Sequence, residues 1–249
     1  RMARSMGDAR TVIHAVEVRN WSPLGGRSTR HVRDFLGHSA VSVRDAESAA
    51  EVQRLGAPAP AIVPDSIALL FPKVDTYVRR VPELQGRVVL NLLDIASRGD
   101  RDESSFTIAE YDRLAAELVE RLGQRAVGLV VGAGDREYME RFRSLELVTP
   151  SSVEHLVSIL GAASSVVSVR MHPALIGSML GKPTLAIPYC GKVAPTLKNI
   201  GISEQLLTNS DPDFVMDHLD VQRTGIASAW ASASHATSRW LDGQLGDLG

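Results

Sequence analysis

Short β-branched, apolar runs alternate along this chain with segments of helical periodicity, and that alternation restricts the fold more than any other feature. Strands are expected over Thr11 to Val18, Ala40 to Val43, Ala61 to Val63, Arg87 to Leu93, Ala126 to Val131, Glu146 to Thr149, Ser164 to Val169 and Thr184 to Ile187. Between and after them, helices are expected over 28–36, 46–55, 108–122, 135–142, 151–160, 194–200, 212–219 and 226–241. A further helix follows Pro173 and is closed by Gly181-Lys182-Pro183. Leu114, Leu118 and Leu122 recur four apart, on one helical face. Asp45 stands as the N-cap of the helix stopped by Gly56, and Ser151-x-x-Glu154 reads as a capping box. Strands and helices in this rhythm make parallel sheets covered on both faces by helices.

The rhythm breaks once. Phe71 to Arg87 loses periodicity and carries two prolines and a cluster of basic residues, so a boundary between two lobes is expected there. Residues 1–75 then form a partial N-terminal α/β lobe and residues 76–249 a C-terminal Rossmann-like lobe, with the last helix packing back on the first lobe. Residues 1–10 read as the end of a helix, and 20–26 as a loop.

Composition excludes several functions. The 249 residues are 44% hydrophobic and 22% charged, with a net charge of -2, which offers nucleic acid no electrostatic footprint. The single cysteine, Cys190, permits no intrachain disulfide and fits a reducing compartment. No apolar run approaches the roughly 18 residues of a membrane span, and no signal-peptide pattern opens the chain, so a cytoplasmic location is expected. The scattered histidines have no metal-ligand spacing with Cys190, and no metal or cofactor is expected.

Candidate chemistry lies where strands end. Ligands of parallel sheets bind beyond the carboxyl ends of their strands. Arg44 follows one such strand, and Arg170 and His172 follow the apolar run of Ser164 to Val169. Charged, proton-capable side chains at the exit of a buried strand are costly unless a ligand uses them. Two α/β lobes across a cleft would let both ends serve one site. Gly132-Ala133-Gly134 is a lone G-x-G, read as an ordinary strand-to-helix turn. Asp102, Glu103 and Asp135 to Glu137 are expected in solvent, Asp65 as a turn residue, and Trp21, Trp230 and Trp240 in the core.

Three blocks resemble the polysaccharide pyruvyl transferase family. Val43-Arg44-Asp45-Ala46-Glu47-Ser48, with Leu55-Gly56 and Val63-Pro64-Asp65, is similar to the family's "RD…S…LG…D" block. Val169-Arg170-Met171-His172 resembles its "R-L-H" signature with Met for Leu. Gly181-Lys182-Pro183, followed by Pro188-Tyr189-Cys190-Gly191-Lys192-Val193, resembles its "GxP…Y…K" segment. Family members usually begin with a Gly-Asp-containing glycine-rich segment. Met6-Gly7-Asp8 lacks that surrounding pattern, so either the N-terminal lobe is incomplete or the chain is a shortened relative.

The resemblance implies two Rossmann-like lobes similar to GT-B glycosyltransferases. It also implies transfer of the enolpyruvyl skeleton of phosphoenolpyruvate to two sugar hydroxyls, forming a pyruvate ketal and releasing phosphate. His172 is the implied acid/base. Arg170, Lys192 and Arg44 are the implied anion contacts, and Tyr189 a pocket wall. A helix N-terminus and a neighbouring Arg both favour neutral imidazole, so His172 is expected to become a competent acid once the anionic donor is bound. The implied partners are phosphoenolpyruvate and a glycan or lipid-linked sugar acceptor, with peripheral membrane association through that acceptor; no nucleic acid is expected. Two other readings stay open: a GT-B glycosyltransferase or sugar-nucleotide epimerase, and a non-catalytic glycan- or partner-binding remnant.

Overall fold

A computed structural model describes residues 11–18, 26–99 and 106–246. The readings of residues 1–10, of Met6-Gly7-Asp8, of Trp21 with most of the 20–26 loop, and of Asp102-Glu103 lie outside the described residues. The chain divides into two compact units, residues 1–69 with 231–249, and residues 70–230.

In the first unit, β1 (Thr11–Val16), β2 (Ser39–Val43) and β3 (Ala61–Ile62) form a parallel sheet in that order. Helices α1 (Gly26–Gly37) and α2 (Ala46–Arg54) supply the crossovers. The core gathers Val18, Leu36, Val43, Val52 and Leu55. Asp45 caps α2 as expected, its Oδ1 accepting from Ser48 N at 2.7 Å. The register of β1 slips between Ile13 and Val16, where Ala15 takes φ +49°. Ser42 Oγ accepts the Ala15 N–H at 3.0 Å, so a neighbouring strand holds this bulge.

The second unit opens with 3₁₀ turns over Ser66–Tyr77, a segment shared across the division, and Pro82–Leu84. Pro72 and Pro82 remove amide donors from this stretch, which accounts for its lost periodicity. A five-stranded parallel sheet follows, from β4 (Val88–Asn91), β5 (Ala126–Leu129), β6 (Leu147–Val148), β7 (Ser165–Ser168) and β8 (Thr184–Ala186). Its order is β6-β5-β4-β7-β8, so the winding reverses between β4 and β7. Helices α3 (Ile108–Leu122), α4 (Ala133–Met139), α5 (Val153–Ala162) and α6 (Met171–Met179) connect its strands; α7 (Val193–Ile200) and α8 (Pro212–His218) follow β8, and α9 (Ile226–Leu245) ends the described chain. Every residue of β4, β5, β7 and β8 is buried, as strands covered on both faces require. Leu114, Leu118 and Leu122 of α3 face this core. Trp230 is fully buried and donates Nε1–H to Ser178 Oγ at 2.9 Å.

Three local expectations change. Ser152, not Ser151, caps α5: its hydroxyl accepts from His155 N at 3.1 Å, while Ser151 contacts His155 Nδ1. Helix α6 starts at Met171, two residues before Pro173, whose missing N–H costs nothing in a first turn. Asp135 is wholly buried instead of solvated, for reasons that belong to the site. No helix among the described residues is long and apolar enough to cross a membrane.

Candidate functional site

The carboxyl edge of the five-stranded sheet gathers the polar side chains that the core excludes. Asn91 is the polar residue within the otherwise apolar run Val88 to Leu93, and it is fully buried. Its Nδ2 donates to Leu129 O at 2.8 Å and to Asp135 Oδ2 at 3.1 Å. Its Oδ1 accepts from Arg170 N at 3.1 Å and lies 3.2 Å from Ser168 Oγ. One amide thus ties β4 to the ends of β5 and β7, at the point where the winding reverses.

Asp135 completes this network. Because only residues 130–132 separate β5 from α4, the helix's third residue turns its carboxylate back onto the amides of Val131 and Gly132, both 3.1 Å from Oδ2. The guanidinium of Arg170 meets the same carboxylate. Its Nε lies 2.8 Å from Oδ1 and 2.9 Å from Oδ2, and its Nη2 lies 2.6 Å from Oδ1. The Arg170 side chain keeps 31% exposure against 0% for Asp135. Gly132 makes the approach sterically possible: a Cβ there would lie 2.6 Å from Arg170 Nη2.

The expected site residues of this unit surround that pair in sequence and topology. His172 is the exposed second residue of α6, a helix with neither an acidic residue nor a side-chain cap in its first turn. Tyr189 is buried in the loop after β8, and Lys192 is the half-buried N-cap of α7. Arg98, in the segment after β4, stands 5.8 Å from the centre of the Tyr189 ring, within cation–π range. Strand ends β4, β5, β7 and β8 therefore bring Arg98, Gly132 with Asp135, Arg170 with His172, and Tyr189 with Lys192 to one edge of one sheet.

A cavity of about 720 Å³ opens beside them, at the ends of β5 and β6. Val130, Val131, Val153 and Leu156 line it with apolar surface, and Arg136 and Thr149 with polar groups. Gly132 belongs both to this wall and to the seat of Arg170.

Arg44 lies in the first unit and is already held by carboxylates. Its Nη1 donates to Asp65 Oδ2 at 3.0 Å, its Nη2 pairs with Glu17, and its side chain is 12% exposed. Asp65 also accepts from Ile67 N, so it combines its expected turn role with an ion pair. Ser48, whose amide caps onto Asp45, accepts the Val18 N–H on its hydroxyl at 3.0 Å. The Arg-Asp…Ser…Asp spacing of this block is thus accounted for by contacts among its own members. Nearby, His14 contacts Ser42 Oγ through Nδ1 at 3.0 Å and stacks on Trp240 at 5.2 Å between centroids. Burial lowers its basicity, partly opposed by the charge of Asp65.

The model of the family described as polysaccharide pyruvyl transferase matches residues 20–191. The chain belongs to this family. The matched segment contains Arg44, Asn91, Asp135, Arg170, His172 and Tyr189, and it ends one residue before Lys192. No curated protein matches the chain. Solved structures similar in fold include Anabaena HepE in complex with UDP-glucose, at 10% identity and TM-score 0.57, over 99% of this chain and 74% of that one. The putative UDP-N-acetylglucosamine 2-epimerase of Listeria monocytogenes gives 14% identity and TM-score 0.57, over 99% and 70%. The Neisseria meningitidis UDP-GlcNAc 2-epimerase bound to UDP-GlcNAc gives 12% and 0.51, over 96% and 68%. These likenesses identify the fold as that of the GT-B enzymes. In this pyruvyl transferase family member, Asn91, Asp135, Gly132 and Arg98 join the candidate site only through the fold. A polar residue inside an apolar strand is the available signal for Asn91.

Proposed function

We propose that this chain transfers the enolpyruvyl skeleton of phosphoenolpyruvate to two hydroxyls of a sugar in a cell-surface polysaccharide or its precursor, forming a pyruvate ketal. The observation that carries this reading is the guanidinium of Arg170, fixed by buried Asp135 two residues before His172, within the family match. A fixed guanidinium suits the oxygen fork of a phosphate or carboxylate. The pair with Asp135 uses Nε and Nη2, which leaves Nη1 as the edge for the donor. Because that pair is neutral overall, charge for a multiply anionic donor is assigned to Arg98 and Lys192, with partial charge from the first-turn amides of α6.

His172 is assigned the proton transfer. It delivers a proton to the enol methylene, which becomes the methyl group while positive charge develops on the neighbouring carbon. A sugar hydroxyl attacks that carbon and loses its proton. The carbon–oxygen bond to phosphate then breaks, and the second hydroxyl closes the ketal. In balance, one hydroxyl proton ends on the methyl carbon and the other on phosphate. The donor's negative charge faces the imidazole at the positive end of α6. The cavity beside Gly132 is assigned to the acceptor, with Tyr189 as a wall of the donor pocket.

The test is phosphate release from phosphoenolpyruvate with a panel of glycosides bearing neighbouring hydroxyls, with the ketal identified by mass. A sugar-nucleotide transferase or epimerase is the second reading. It is favoured by the GT-B likeness to proteins whose structures hold UDP-glucose and UDP-GlcNAc. Turnover of a nucleotide sugar with no phosphate release from phosphoenolpyruvate would decide for it.

A further inference from the structure

A second polar pocket lies at the other end of β8, where the turn Gly181-Lys182-Pro183 enters the strand. Its volume is about 220 Å³, and its walls come from that turn, from Gln205, from Gln222 and Arg223, and from Gly225 and Ile226 at the start of α9. Among the described residues, no carboxylate lines it. The carboxyl edge that carries Arg170 and His172 is at the opposite end of the same strands.

Two cations face partial burial here. Lys182 and Arg223 are both half-buried, and burial lowers the basicity of each, so both have lost part of their hydration. Arg223 reaches Thr184 O at 3.4 Å, a weak contact, and exposed Glu204 partly offsets its desolvation. Helix α9 runs for 20 residues and has no acidic residue in its first turn, so its positive end is not neutralised by its own side chains. Gln205 adds an independent sign. It is only 2% exposed, and its Oε1 is buried without a hydrogen-bond partner among the described residues. Buried amides are seldom left so. A terminal amide can turn to present either its oxygen or its NH2, so it can meet a hydroxyl or an anion oxygen.

We infer that this pocket binds a phosphate group, free or as the monoester of a small polyol. Lys182, Arg223 and the first amides of α9 take the anion, and the amide of Gln205 takes an ester-side hydroxyl or a phosphate oxygen. The volume corresponds to about seven waters, which admits phosphate with a few carbons but not a nucleotide. The site is separate from the pyruvyl-transfer reading and does not depend on it.

The test is titration of the whole protein with inorganic phosphate and with glycerol 3-phosphate, at ionic strength held constant with chloride. Calorimetry gives the affinity, and the side-chain NH2 resonances of Gln205 report on the pocket. Saturable binding is expected, with the Gln205 resonances shifting. Lys182→Met and Arg223→Gln should each weaken it by roughly tenfold or more. His172→Ala should retain it, which separates this site from the carboxyl edge. Tighter binding of glycerol 3-phosphate than of phosphate assigns the hydroxyl to Gln205; equal binding assigns phosphate alone. Gln205 resonances that stay fixed through the titration, or variants that bind as the wild type does, overturn the proposal.

Discussion

Arg170 and Asp135, 35 residues apart in sequence, meet through both carboxylate oxygens, and only the arginine of the pair reaches solvent. The carboxylate is satisfied three further times, by Asn91 Nδ2 and by the amides of Val131 and Gly132. A buried pair with this many hydrogen bonds fixes position more than it supplies stability. Arg170 therefore acts as an aimed donor, and its charge is largely cancelled by its partner.

Removing the carboxylate should be costly. Asp135→Asn keeps the shape but leaves Arg170 without its counter-charge and sets an NH2 donor against either the guanidinium or the two amides. We expect a loss of about 3 kcal/mol, the lower end for breaking a buried pair because the guanidinium is partly exposed. Urea unfolding of the two proteins measures it. A change under about 0.5 kcal/mol would mean that the pair is not a structural anchor.

Gly132 tests the aim of Arg170 apart from its charge. Gly132→Ala puts a Cβ 2.6 Å from Nη2 and must shift the guanidinium. Turnover should fall by roughly 10²-fold, the usual cost of an ångström of misplacement. Gly134→Ala, with nothing within 4 Å of its new Cβ, should leave turnover unchanged. Equal rates in all three proteins would show that Arg170's position does not matter.

The alternation of apolar runs with periodic segments makes most of the second unit legible from its residues alone. Thr107 opens α3 with a capping box, and the strand runs are far enough apart to require a crossover between each pair. Asp135 is not legible in this way. Along the chain it stands among Arg136, Glu137 and Glu140, the composition of a solvated helix face. Only the short helix that starts at Ala133 and the strand order β5-β4-β7 turn it inward and bring it to Arg170. Arg44 shows the converse. Its place at the end of β2 is plain from the sequence, but Glu17 and Asp65 come from other strand ends and stand beside it only in three dimensions.

The first unit should be sensitive to mild acid through His14. Burial lowers its folded-state basicity, so on acidification the unfolded chain takes up the proton first. Stability therefore rises with pH between the folded value and about 6.5, and is flat above it for this group. The urea midpoint should drop between about pH 7.5 and about pH 5.5. His14→Phe, which can keep the stack on Trp240, should remove that part of the drop. An unchanged slope in the variant would assign the effect to other groups.

Ser178 anchors the start of α9 through Trp230. Ser178→Ala leaves the buried indole N–H unpaired and should cost about 1–3 kcal/mol in chemical denaturation. A neutral result would mean that the indole finds another acceptor.

The most direct measurement is phosphate release from phosphoenolpyruvate by the wild type and His172→Ala, with and without a glycan acceptor. We expect release that requires the acceptor, yields a pyruvate ketal, and falls by roughly 10²–10⁴-fold in the variant. Equal release from both proteins, or none from the wild type while a nucleotide sugar is consumed, would contradict pyruvyl transfer at this edge.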